Sequence, residues 1–283
     1  MSFCIPVYEN TKYLQETIGS IVDSQDKNYP IYVVDDSRKS TEAKNIAKIF
    51  GNRVIYFKNS EHLGASNNFN QSTLVANSKY LMIVGPDDKL IMNVNLLLDK
   101  YENIDFSALQ PGVESIDEHG NNISNMVDKF KLLLMLRKGV GKLDNQALIN
   151  SLAFGNWTYN PSIIWNLDFL KTFKYDLKYK IAMDLDLLMR LALSDRTFVC
   201  DNLKIFQYRR HLDSVSMKAN GYLQLREVLE IHSFVLSQRE KIELKTKILL
   251  ALAPLARTQA VLAFNREEMK IDLLKILFRR NVV

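Results

Sequence analysis

The sequence predicts an α/β protein built on a mainly parallel sheet flanked by helices. Three observations carry that prediction. Over residues 1–100, short runs rich in β-branched residues alternate with longer stretches whose apolar positions repeat at helical spacing. Two of those runs, IYVV and YLMIV, stop abruptly and are followed within a turn by paired aspartates. Of the 283 residues, 47% are apolar and 24% charged, ordinary values for a globular chain with a substantial core.

Taken in order, SFCIPVY is an apolar run closed by the polar turn ENT. Residues 11–23 place Leu14, Ile18, Ile21 and Val22 on one helical face. IYVVDD is the second strand, and residues 40–50 form a helix with Ala43, Ile46, Ala47 and Phe50 together. RVIYF is the third strand, 65–77 the next helix and KYLMIV the fourth strand. Right-handed crossovers in such a sheet set the carboxyl ends of the strands along one edge, where its ligands bind. Beyond residue 90 the alternation weakens. IDFSALQPGVESIDEHGNN reads as a strand and a hairpin turning at Gly120-Asn121. Residues 126–150 read as helix interrupted by a mobile loop, Lys138 to Asn145. NPSIIWNLDFLK is a strand entering a helix, residues 184–194 an apolar helix, and TFVCDNLKIFQYRRH a strand, a turn and a strand. Everything from Tyr222 onward reads as helix.

Charge and cysteine content narrow the classes. The net charge is +5, from 37 Lys+Arg against 32 Asp+Glu. That surplus suits nucleotide phosphates or an anionic lipid surface without demanding either. Most of it lies in residues 222–283, with 11 Lys+Arg against 7 Asp+Glu. No dense basic stripe marks the rest, which argues against a nucleic-acid partner. Cys4 and Cys200 each sit in an apolar run, as buried free thiols of a reducing compartment do. MSFCIPVY has no basic leader, and no stretch reaches the ~18 apolar residues of a membrane span, so a soluble, cytoplasmic protein is expected.

The candidate functional residues gather at element ends. Asp35-Asp36 follow IYVV, either capping what comes next or accepting hydrogen bonds from a base or ribose. Asp87-Asp88 follow Gly85-Pro86, as turn residues or as oxygen ligands for a divalent cation. Asp184 and Asp186 open the apolar helix, favourable for its dipole and equally suited to a general base beside a cleft. His211 leaves an apolar strand and is the best placed of the four histidines to be a metal ligand; His62, His119 and His232 have weaker claims.

In this order, SFCIPVYEN, IYVVDDSRKST, LGASNNFNQSTLVANSKYLMIVGPDD, MDLDLLMRL and YRRHLDSVS resemble the inverting glycosyltransferases of family two, which have the GT-A fold. The matching stretches span residues 2 to about 216, and residues 217–283 have no clear counterpart in the family core. The resemblance implies a catalytic domain at 1–216, with a nucleotide-binding half at 1–100 and an acceptor half at 101–216, followed by a helical C-terminal extension. It implies that Pro6, Tyr8, Asp35 and Asp36 hold the nucleoside, that Asn70 closes a GxxxxxN segment begun at Gly64, and that Asp87 is the last residue of an Asp-x-Asp metal and diphosphate motif. Asp184 matches the base, and His211 a histidine that completes the metal site in some members. Gly85 stands at the first position of Asp-x-Asp, where Asp88 is expected to compensate. Met183 stands where Glu is usual, and Phe69 where Arg is frequent.

The implied cofactor is Mn²⁺ or Mg²⁺, and the implied donor a nucleotide sugar, foremost a UDP-sugar. The acceptor is a saccharide or lipid-linked saccharide of cell-envelope polysaccharide synthesis. A non-catalytic nucleotide-sugar-binding or scaffold subunit is the main rival, motivated by Gly85 and Met183. A nucleotidyltransferase ranks third, because no basic Gly-rich loop is present to cradle a triphosphate. Trp165 reads as core and Trp157 is open between core and sugar platform, while the Lys138–Asn145 loop is expected to close over donor as a lid. In the tail, Leu273, Leu274, Leu277 and Phe278 line one side near Lys270, Arg279 and Arg280. That helix packs on the catalytic domain or on a second subunit, or lies on the inner face of a membrane.

Overall fold

In the computed structural model, the structure describes residues 1–123, 128, 129, 131, 139–211, 221–238, 240 and 242–252. The strands are β1 (Ser2–Val7), β2 (Ile31–Asp35), β3 (Val54–Lys58), β4 (Tyr80–Ile83), β5 (Lys89–Leu90), β6 (Ala108–Ile116), β7 (Asn122–Ile123), β8 (Gly141–Leu143), β9 (Ile164–Asn166) and β10 (Phe198–Arg209). The helices are α1 (Leu14–Ser24), α2 (Glu42–Ile49), α3 (Ala65–Val75), α4 (Asn95–Lys100), α5 (Asn145–Phe154), α6 (Leu167–Phe173), α7 (Met183–Leu193) and α8 (Gly221–Ser237). A further helix, α9, runs over 244–252.

One sheet runs β3-β2-β1-β4-β9-β6-β10-β5, with β7 on β6 and β8 on β10. β3, β2, β1 and β4 are parallel, as the alternating pattern predicts. β9 is antiparallel to both β4 and β6, and β10 is parallel to β6. Two reversals restore the direction, so β1, β2, β4, β6 and β10 all point their carboxyl ends to one edge. β1 is buried on both faces, which is why it reads as continuous apolar sequence. Phe3, Ile5 and Val7 join one core with Leu14, Ile18 and Ile21 of α1 and Ala43 and Ala47 of α2. Cys4 points into the other core, with Trp157, Trp165, Leu187, Leu188 and Ile231. Both tryptophans are therefore core, and both cysteines are buried free thiols.

Two expectations change. TFVCDNLKIFQYRRH is one long strand, not two. The predicted turn is a pair of register shifts against β6 around Lys204. There Asn202 bulges against Gly112, where a Cβ would lie 2.5 Å from the Asn202 carbonyl oxygen. The expected lid is instead largely structured. Gly141–Leu143 pairs with β10, and the Asp144 side chain accepts from Ala147 N at 2.9 Å to cap α5.

Where it is described, the C-terminal extension packs on the rest of the chain. Val228, Ile231 and Val235 of α8 enter the same core as α7. Glu227, 2% exposed, accepts from the backbone N–H groups of Lys180, Ile181 and Ala182 at 2.8–2.9 Å. The tail residues Leu273, Leu274, Leu277 and Phe278 lie outside the described residues. Among those described, no helix is long and apolar enough to cross a membrane.

Candidate active site

The acidic strand ends predicted from sequence lie along the carboxyl edge of the sheet, where they do different work. Asp35 is completely buried. Its carboxylate takes Ser37 N at 2.8 Å, the Tyr56 hydroxyl at 2.6 Å and Lys58 Nζ at 3.1 Å. Burial alone would push its pKa up, but Tyr56, Ser37 and Lys58 together hold it below the ordinary carboxylate range. Asp36 turns the other way, toward α3. It accepts from Asn59 Nδ2 at 2.8 Å, Leu63 N at 2.8 Å and Gly64 N at 3.0 Å, with His62 Nδ1 2.8 Å away. Gly64, at φ +77°, bends the chain into α3 in a left-handed conformation that favours glycine. Pro6 is buried in β1, paired with Val34, whereas Tyr8 is 49% exposed with its ring 4.6 Å from that of His62. Asp35 and Asp36 thus build the wall of this corner, and Tyr8 and His62 are its accessible aromatic surface. Asn70 is spent elsewhere. Its amide closes on Tyr175, accepting from N at 2.8 Å and donating to O at 2.9 Å. It lines a separate cleft of about 630 Å³ between α3 and residues 173–177.

In the turn between β4 and β5, Asp87 Oδ2 lies 2.7 Å from Nε2 of His211, which follows β10, the strand that pairs with β5. These residues are 124 positions apart in the chain. Arg209, 1% exposed, fastens the corner. Its Nε donates to Asp87 O at 2.7 Å, Nη1 to Asp117 O and Glu118 O at 3.2 Å, and Nη2 to Glu16 at 2.8 Å. Its guanidinium also stacks over Tyr13, 4.3 Å from the ring centroid. Asp88 is buried behind this corner, whereas Asp87 stays partly exposed. One oxygen accepts from Arg209 N at 2.9 Å, and the other has no hydrogen-bond partner among the described residues. Burial, with Asp87 adjacent, raises its pKa well above the ordinary value.

The donor chemistry of this corner therefore fits a divalent ion through Asp87 and His211, one carboxylate and one imidazole. No group of three or more His, Cys, Asp or Glu is assembled for a metal among the described residues. An ion there would draw its remaining ligands from substrate oxygens and water, as Mg²⁺ and Mn²⁺ do in phosphate-binding sites.

The third corner is the start of α7. Asp184 Oδ2 accepts from Asn156 Nδ2 at 2.6 Å and Oδ1 from Leu185 N at 2.8 Å. Burial raises its pKa, against the opposing pull of Leu185 N, Lys131 and Asn156. Lys131 donates to Thr158 O at 3.0 Å and sits 4.0 Å from the centroid of the Tyr159 ring. Burial pushes its ammonium down to about 8. Asp186, by contrast, is buried in an ion pair with Arg190 four residues on, a structural role.

Contacts link the three corners into one rim. Gly64 holds Asp36, and two residues later Ser66 Oγ donates to Tyr179 O at 2.8 Å and meets Met183 Sδ at 3.1 Å. Met183 leads to Asp184, Asp184 to Asn156, Asn156 to Thr158, and the Thr158 carbonyl to Lys131. Tyr159 and Arg210 share Asp128, the tyrosine hydroxyl at 2.7 Å, and the next residue is His211 on Asp87. Asn156, Lys131, Arg209 and Glu227 are absent from the sequence-based site. Only Arg209 had a signal, its place within YRRH; FGNWTYN draws attention by its aromatics, not by its asparagine.

A single sheet whose parallel strands end along one edge, with an acidic turn after β4 and a carboxylate at a helix start, is the frame of a GT-A nucleotide-sugar transferase. The glycosyl transferase family 2 model matches residues 2–166, and the chain belongs to that family of transferases. It is 27% identical over 206 residues to an uncharacterized glycosyltransferase of Methanocaldococcus jannaschii, covering 71% of this chain and 67% of that one. It is 26% identical over 247 residues to glycosyltransferase GlyG of Streptococcus pneumoniae, covering 82% and 78%. Over 106 residues it is 32% identical to the abequosyltransferase RfbV of Salmonella typhimurium, which covers 36% of this chain and 32% of that protein. Among solved structures, S. aureus TarS 1–349 in complex with UDP-GlcNAc superposes with a TM-score of 0.66 at 16% identity, covering 96% of this chain and 77% of that one.

Proposed function

We propose that the chain is an inverting glycosyltransferase moving a sugar from a nucleotide-diphosphate sugar, a UDP-sugar foremost, to a hydroxyl of a saccharide or lipid-linked saccharide. What supports this reading is the unbroken rim joining Asp36, Asp87 with His211, and Asp184 at one edge of the sheet. The nucleoside lies at Tyr8 and His62, over the wall built by Asp35 and Asp36. The diphosphate faces Asp87 and His211, which would hold a divalent ion; such an ion would supply positive charge against that developing on the leaving diphosphate.

Asp184 takes the proton of the acceptor hydroxyl. The acceptor oxygen then bonds to the anomeric carbon as the bond from that carbon to the diphosphate oxygen breaks, and the electron pair leaves with the nucleoside diphosphate. Attack opposite the leaving group inverts the anomeric centre. A raised carboxylate pKa suits a general base, since a more basic oxygen takes a proton more readily.

A panel of nucleotide sugars with Mn²⁺ is expected to give transfer, or slow donor hydrolysis without acceptor. Asp184→Asn is expected to lower transfer by at least about 100-fold with UDP binding intact by calorimetry. Normal transfer by that variant removes Asp184 as base. Absence of turnover and of any nucleotide binding by the parent chain removes the donor site itself. Binding without turnover favours the non-catalytic reading.

A further inference from the structure

We propose that Asn156 is a positioning residue for Asp184, holding its carboxylate in one orientation with lone pairs left for the acceptor hydroxyl. This rests on the reading of Asp184 as base. The Asn156 amide cannot turn over freely. Its Oδ1 accepts from Thr158 N at 3.1 Å and Thr158 Oγ1 at 2.7 Å, which only a carbonyl oxygen can do with the N–H. That forces Nδ2 toward Asp184 Oδ2, 2.6 Å away. Thr158, 2% exposed, is itself held from the far side, where its carbonyl takes Lys131 Nζ at 3.0 Å.

The carboxylate is thus gripped once on each oxygen, by Asn156 on Oδ2 and by Leu185 N on Oδ1. Each oxygen has two lone pairs, so capacity for the acceptor hydroxyl remains beside these donors and the Asp184 backbone N–H. The other charged and titratable groups acting on Asp184 from the packed elements are Lys131, which favours its ionised form, and Tyr175, whose hydroxyl is engaged by Asn160 at 3.1 Å. An asparagine serving only the turn between α5 and β9 would spend its N–H on backbone. This one spends it on a side chain 28 residues away.

The test uses the full chain with the donor and acceptor, or the donor hydrolysis, found active in the nucleotide-sugar panel. Asn156→Ala is expected to lower kcat by about 10- to 100-fold while donor KM changes by less than about threefold, because the donor is bound elsewhere on the rim. The sign of the pH effect follows from the hydrogen bond. Asn156 donates to the charged carboxylate, so losing it raises the pKa of Asp184, and the acid limb of kcat moves to higher pH. Asn156→Asp keeps the shape but sets a like charge beside Asp184, and is expected to move the limb further in the same direction.

Unchanged kcat and an unmoved limb in a folded, UDP-binding variant overturn the proposal, as does a fall in kcat with the limb in place. If both variants fail to fold, Thr158→Val, which frees one side of the amide, must show the smaller shift in the same direction or the proposal falls. The two readings fail separately. Transfer surviving Asp184→Asn sinks the base, whereas loss of transfer there with wild-type kinetics in Asn156→Ala sinks only the positioning role.

Discussion

At the residue scale, Gly85 shows how a departure from the family pattern is absorbed. A Cβ at this position would fall within bonding-clash range of Asp88 Oδ2 and 2.8 Å from Asp87 Oδ1. The two carboxylates that follow have folded into the space a side chain would need. Asp88 is buried and tied to the β10 backbone, so it cannot swing away cheaply. Gly85→Ala is therefore expected to cost about 1–3 kcal/mol by overpacking, and to displace Asp87 from His211. Thermal melting checks the first effect, and a weaker Mn²⁺ dependence of donor turnover checks the second. By the same geometry, Gly85→Asp is expected to lower turnover rather than restore the family motif. Wild-type stability in either variant would show that the Asp88 side chain can leave its pocket.

At the scale of elements, the start of α7 is held by a residue from a different helix. Three successive backbone N–H groups, Lys180 to Ala182, converge on the Glu227 carboxylate of α8. Such donors at a helix start carry partial positive charge and would otherwise need water or a cap, yet no side chain within α7 caps it. Glu227→Ala leaves them facing a buried void. A loss of about 3 kcal/mol is expected, since hydrogen bonds to a buried charge are worth roughly 1.5–3 kcal/mol each and partial rehydration offsets some of that. Because Asp184 lies two residues beyond Ala182, transfer is expected to fall even below the melting temperature. Urea unfolding checks the first, and kcat measured well below the transition the second. A variant of unchanged stability would mean that water replaces the carboxylate at no cost.

At the scale of the whole molecule, the sheet divides the apolar residues between two cores, and α8 is needed to close one of them. Ile231 and Val235 are fully buried and Val228 nearly so. Burying each such side chain contributes about 1.5–3 kcal/mol, and together with Glu227 they amount to a large share of a typical 5–15 kcal/mol stability. A fragment ending at residue 216 is accordingly expected to be insoluble or to exchange its core amides rapidly. A soluble, protected fragment by hydrogen exchange would show instead that residues 1–216 fold alone. The parallel half of the sheet was legible because burial on both faces leaves a plain signature, continuous β-branched runs between amphipathic helices. The bulged β10 was not, since Asp201 and Asn202 look like turn residues. Asp201 is in fact buried and satisfied by Lys100, Tyr101 and Leu203 N.

By itself, the sequence determined the strand and helix order from β1 to β4, the family, and the acidic residues at the ends of β2, β4 and the start of α7. Those features are written in local periodicity and in residues adjacent along the chain. Only the tertiary structure decided which of the acids face a cleft. Asp88 went inward because Gly85 left room and Arg209 N supplied a donor, while Asp87 was left beside His211. Asn156, Lys131 and Glu227 acquired their roles the same way, through contacts across 27 to 47 residues of sequence that no local pattern encodes. A hydrogen bond depends on distance in space, and a chain specifies that distance only once its whole core has packed.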